Sequence, residues 1–138
     1  MKIVLAAIGA ALLSCAAYGQ DASSATQSCE GLTQLELPAA KILSAQTVAA
    51  GAFTAPPNIN SRLIGDTAFY KKLSAFCRVV AEAMPSADSS IKIEVWMPVN
   101  GKNGDGWNGK LQGRGNGGFA GEIGYHQMGI AEIGRAHV

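Results

Sequence analysis

The chain has 138 residues, with 11 Lys+Arg against 10 Asp+Glu, and the excess positive charge is Lys2, so without residues 1–19 the formal charge is zero. That balance excludes a mainly electrostatic hold on nucleic acid or on an anionic membrane. The length allows one small domain but not two, and the 48% hydrophobic content is inflated by an apolar leader.

That leader, MKIVLAAIGAALLSCAAYG, has one lysine, an uncharged apolar run from Ile3 to Leu13 and then small residues, the order of a secretory signal peptide over 1–19. Eleven apolar residues are too few to span a bilayer as a helix. Cleavage after Gly19 yields a secreted or periplasmic protein; Leu12-Leu13-Ser14-Cys15 also permits a lipid anchor on Cys15. Residues 20–28 are small and polar, a disordered linker by composition. Cleavage after Gly19 leaves Cys29 and Cys77, an even pair in an oxidising compartment, so a disulfide is the default and two buried thiols the alternative. Closing a loop of about fifty residues is worth roughly 4 kcal/mol at most.

From Cys29 onward, Leu32, Leu35 and Leu37 followed by Pro38 predict a short helical turn that the proline interrupts. Lys41 to Phe53 fits helix or strand on pattern, and Gly51, Phe53 and Pro56-Pro57 favour an extended segment leading into a loop. Phe76 to Ala83 reads as strand or short helix. Ile91 to Met97, IKIEVWM, alternates with period 2, which predicts a strand burying Ile91, Ile93, Val95 and Met97 and exposing Lys92, Glu94 and Trp96. The Asn-Gly and Asp-Gly pairs of VNGKNGDGWNGK favour tight turns, with Trp107 to Gln112 returning as an antiparallel partner of that strand. Gly121 to Ala131 looks like the start of a helix, weakened by Gly124 and Gly129.

Between the hairpin and that helix lies GRGNGGFAG, with five glycines in nine residues; ten of the seventeen glycines fall between Gly101 and Gly124. Two chemistries use such a junction. Gly113, Gly115 and Gly118 satisfy G-x-G-x-x-G, the pyrophosphate cradle, but a hairpin rather than a βαβ unit is expected before them, and an exported nucleotide enzyme is a poor prior. The other is an oxyanion hole, in which bare backbone presents N–H groups to a developing negative charge. Tight turns and packing are the purely structural alternative.

CEGL, AGAF, LSAFCRVVAEAMPSADSSIKIEVWMP and WNGKLQGRGNGGFAGEIGY, in that order, resemble the N-terminal part of the tannase and feruloyl esterase family, secreted serine esterases of the α/β-hydrolase class, over nearly all of 29–131. The resemblance implies an incomplete α/β fold: the first sheet strands, a hairpin, an oxyanion loop and the start of a helix. It implies that Cys29 and Cys77 tether the N-terminal segment to the first sheet strand, and that Gly115, Asn116, Gly117 and Gly118 form the loop whose amides help bind the oxyanion. The substrate implied is an aromatic ester, galloyl, feruloyl or related. The nucleophilic serine, aspartate and histidine are expected downstream, since 1–138 contains no G-x-S-x-G elbow. A lid domain, with structural calcium in some members, is expected there too, and the fragment alone is expected to be inactive.

Other residues invite weaker readings. His126 lacks an acid partner at a diagnostic spacing, and Asp88 in the turn PSADSS and Glu94 on the strand read as solvated charges rather than paired carboxylates. Trp96 and Trp107 read as packing across the hairpin rather than as a sugar or phenol platform. No cluster has metal-ligand spacing. Glu132 to Val138, EIGRAHV, matches the translation of a widely used short-read sequencing adapter, so genuine coding sequence is expected to stop near Ala131, an ordinary helix end being the alternative. From another functional class, the competing reading is a small exported or lipid-anchored binding module, complete at this length.

Overall fold

The computed structural model describes residues 28–57, 67–99, 106–115, 118, 121–134 and 136–138. The expected signal peptide with Cys15, nearly all of the linker, and the turn at 100–105 lie outside the described residues.

A 3-10 turn, Glu30–Gln34, is followed by strand β1 (Ala40–Val48), a single helical turn α1 (Thr67–Tyr70), strands β2 (Phe76–Ala83) and β3 (Ile91–Pro98), and helix α2 (Tyr125–Ile133). The strands form one antiparallel sheet in the order β1-β2-β3. β2 is therefore central. The ambiguous segments resolve as strands over Ala40–Val48, which then runs into a loop, and Phe76–Ala83, because each supplies alternating side chains to both sheet faces. One irregularity, a register shift between Ile42 and Ser44, leaves Leu43 half exposed.

Both faces of the sheet are covered, which changes the expected orientation of β3. On one face Phe53, Tyr70, Leu73, Phe76, Trp96 and Met128 pack together under α2; on the other, Ala45, Cys77 and Val79 meet Leu32, Val95 and Met97. The deeper face is the one the alternation predicted to be solvated: Trp96 and Phe76 are 0% exposed, whereas Ile91 is 51% exposed. Phe53 contacts the Trp96 ring edge-on at 4.5 Å, and Phe76 stacks on Trp96 at 4.4 Å. Each buried aromatic of this size is worth about 3 kcal/mol. Period 2 correctly groups residues by face; which face is deeper depends on what packs against it.

The disulfide forms: Cys29 and Cys77 are bridged, with Cα atoms 5.5 Å apart. It fastens the 3-10 turn to the central strand, not to the first one, because β1 precedes β2 and takes the edge. On the outer edge of β1 the Thr47 amide donates to Glu30 Oε1 at 2.9 Å, so the same turn also caps a strand donor that would otherwise template aggregation.

At the other edge the expected hairpin partner is displaced. Trp96 and Val138 exchange both backbone hydrogen bonds, at 2.7 and 3.0 Å. Beyond them His137 donates to the Lys110 carbonyl and accepts from Gln112, and Leu111 and His137 pair in parallel. Residues 136–138 thus lie between β3 and 110–112, and α2 is the crossover joining two parallel segments. Trp107 to Gln112 does not pair with Ile91 to Met97. Local turn signals suggested a hairpin; a segment 26 residues downstream takes the intervening place. A small three-stranded antiparallel sheet with few helices and one isolated parallel bridge is compatible with part of an α/β domain.

Candidate functional site

The sheet carries a buried polar centre that sequence reasoning placed in solvent. The Glu94 side chain is 1% exposed and pairs with Arg78, itself 19% exposed. Arg78 Nε and Nη2 donate to Glu94 Oε1 and Oε2 at 2.5 and 3.0 Å, a two-pronged contact between neighbouring strands. Trp96 Nε1 adds a bond to Oε1 at 2.7 Å and the Tyr125 hydroxyl one to Oε2 at 3.1 Å. Both carboxylate oxygens are therefore doubly satisfied. Pairing opposes Arg78 to Trp96 and Val80 to Glu94, so the Arg78 and Glu94 side chains are diagonal neighbours on one face. The Arg78 guanidinium lies over the Phe53 ring at 5.4 Å, and its hydrogen bonds to Glu94 raise its pKa further. Burial, reinforced by the Glu94 charge, pushes the Tyr125 hydroxyl up to about 12. Tyr125 is a neutral donor throughout the physiological range.

Tyr125 opens α2, and immediately before it runs the glycine-rich segment. Gly113 and Gly115 sit on exposed backbone where an added Cβ would meet nothing within 4 Å. Gly118 and Gly121 are equally open but have φ of +57° and +62°, a region that disfavours any side chain. So two glycines serve backbone conformation and two leave the main chain accessible. Asn116 and Gly117, named with Gly115 and Gly118 as oxyanion candidates, lie outside the described residues. A cleft of about 920 Å³ is lined by β3 from Ile91 to Val95, by residues 111–115 and by Ile123, Tyr125 and Met128.

The neighbouring WNGK segment is a local turn. Asn108 Oδ1 accepts from the Lys110 amide at 3.0 Å, Asn108 Nδ2 donates to the Gly134 carbonyl, and Gly109 has φ +82°. Trp107 is half exposed, donates to the Lys110 carbonyl and stacks on His137 at 4.4 Å. It does not pack on Trp96, which lies in the core beneath α2. His126 leans on Phe69 at 4.5 Å, and Asp88 is exposed and accepts from Ser86. Glu132 is 1% exposed, and neither carboxylate oxygen has a partner among the described residues; burial raises its pKa to about 7.

A β-strand edge, a glycine-rich segment and a helix start tied to a buried ion pair are compatible with part of an α/β fold. No family model matches the chain. It is 41% identical over 127 residues to an uncharacterized esterase of Xanthomonas campestris pv. campestris, a match that covers 92% of this chain and 18% of that protein. The chain thus spans less than a fifth of that relative and has an esterase relationship over nearly its whole length.

Proposed function

We propose that this chain is the N-terminal part of an exported carboxylic ester hydrolase of the α/β-hydrolase class, with phenolic esters of galloyl, feruloyl or related type as substrates. The observation that carries the proposal is the 41% identity over 127 residues to a protein named as an esterase. The glycine loop before α2 supports it. Hydrolysis would proceed by serine acylation through a tetrahedral oxyanion and deacylation by water, the serine, aspartate and histidine coming from outside these residues. Residues 115–118 supply backbone N–H groups to the oxyanion, and accessible backbone at Gly115 is what that contact requires. One such donor is worth about 3 kcal/mol of transition-state stabilisation. Among the described residues no three His, Cys, Asp or Glu side chains converge on a metal site. The structural calcium implied for some members belongs to a lid domain outside these residues, and no step here runs through a metal.

The test is hydrolysis of methyl gallate, methyl ferulate and p-nitrophenyl acetate by the full chain encoded by the gene. Turnover of at least one aromatic methyl ester is expected. Cleavage of p-nitrophenyl acetate alone would remove the phenolic specificity, and no cleavage of any would remove the esterase reading.

A further inference from the structure

The period-2 pattern of β3 predicts burial of Ile91, Ile93, Val95 and Met97, and the fold delivers it at one end of the strand only. Val95 and Met97 pack against Ala45, Cys77 and Val79, whereas Ile91 is 51% and Ile93 39% exposed. The backbone divides in the same way. Trp96 exchanges both main-chain hydrogen bonds with Val138, so its N–H and C=O point away from β2. In an antiparallel ladder that direction recurs at every second residue, which turns the N–H and C=O of Glu94 and Lys92 outward too. Residues 136–138 reach only Trp96, and among the described residues no main-chain group meets these two donors and two acceptors. The opposite edge of the sheet is treated differently, since Glu30 caps the Thr47 amide there. Beside the open edge lies the cleft, whose lining includes Leu111, 75% exposed. An unpaired strand edge flanked by exposed apolar side chains is a template for a further strand.

Resting on the reading of this chain as the N-terminal part of a longer esterase, we propose that the β3 edge at Lys92 and Glu94 receives an extended segment of the same polypeptide from beyond residue 138. That segment adds a strand to the sheet within the cleft and covers Ile91 and Ile93. Its side chains on the Ile91 and Ile93 side are apolar and alternate with polar or small ones on the side of Lys92. The occupant is assigned to the same polypeptide because the esterase relative is matched over only 18% of its length, so most of a protein of that kind lies outside these residues. A covalently linked segment also reaches the edge at a high effective concentration. A second copy fits less well. Its own β3 would bring β2 and β1 with it, whereas between β3 and residues 110–112 the space beside Trp96 holds the single extended segment 136–138.

The experiment follows residue-resolved hydrogen exchange at the Lys92 and Glu94 amides in the purified full chain encoded by the gene, at two protein concentrations tenfold apart. Paired amides should exchange at least about a hundredfold more slowly than free-peptide rates, equally at both concentrations. Exchange within about tenfold of those rates overturns the proposal. So does protection that falls on dilution, which would give the edge to a second copy. A photo-crosslinking Leu111→p-benzoylphenylalanine variant identifies the occupant: the expected product is an intrachain link to a residue beyond 138, and an interchain link or no link overturns the assignment. Hydrolysis of methyl ferulate and p-nitrophenyl acetate is assayed on the same preparation. Protected amides without ester turnover remove the esterase reading alone, and turnover with unprotected amides removes this proposal alone.

Discussion

Replacing Glu94 by Gln is the most informative perturbation of the fold, because it removes the charge that lets Arg78 sit between strands. Gln keeps one acceptor oxygen and turns an NH2 group toward donors, so at least two of the four bonds from Arg78, Trp96 and Tyr125 are lost. Breaking a buried pair by removing one partner costs about 3–5 kcal/mol. Arg78 is 19% exposed, and partial solvation of its guanidinium brings the expectation to the lower end, about 3 kcal/mol. Arg78→Met should cost a similar amount, since it leaves the nearly inaccessible Glu94 without its counter-charge. The double variant Arg78→Met/Glu94→Gln removes both charges, so its cost should fall below the sum of the singles by about 2 kcal/mol. Urea unfolding midpoints at constant m-value measure each. Additive singles, or a Glu94→Gln cost under about 1 kcal/mol, would refute the view that this pair is a coupled buried unit.

Other perturbations read separate parts of the structure. Replacing Cys29 and Cys77 by Ala opens a 48-residue separation and should destabilise by about 4 kcal/mol at most, seen as a lower urea midpoint with a larger m-value; no loss would mean the bridge adds nothing to the fold. Gly129→Ala places a Cβ 2.6 Å from Phe69 Cε1, so despite better helix propensity it should destabilise by about 1–2 kcal/mol, whereas Gly115→Ala, with open space and no positive φ, should change the unfolding midpoint by less than about 0.5 kcal/mol while lowering ester turnover. Glu132 is an acid whose burial lifts its folded pKa to about 7, above the ordinary carboxylate value of 4.5. Its contribution to stability is present in full below about pH 4.5 and is lost as pH rises through 7, amounting to about 3 kcal/mol. Glu132→Gln should flatten that slope in a pH series of thermal midpoints, and an unchanged slope would refute the assignment.

What could be read from residues alone, and what could not, divides along the range of the interactions. The strand Ile91 to Met97 is visible because period 2 is a local property, and the Cys29–Cys77 bridge follows from parity and compartment. The depth of each sheet face is not visible. Glu94 reads as a solvent marker until Arg78, sixteen residues away, is brought beside it by the β2–β3 register, and only then does the face carrying Trp96 become buried. The hairpin at Trp107 failed for the same reason: Asn108-Gly109 does make its turn, but residues 136–138, joined through α2, take the position next to β3. Glycine enrichment marked the loop correctly, yet composition could not separate Gly118 and Gly121, required by positive φ, from Gly113 and Gly115, where nothing in the fold needs a missing side chain. That difference bears on function. A glycine that neither backbone geometry nor packing demands is free to serve an external contact, and Gly113 and Gly115 wall the cleft beside the loop that Tyr125 terminates. The oxyanion proposal therefore rests most directly on Gly115, and its clearest test is a Gly115→Ala variant that folds like wild type and turns over ester more slowly.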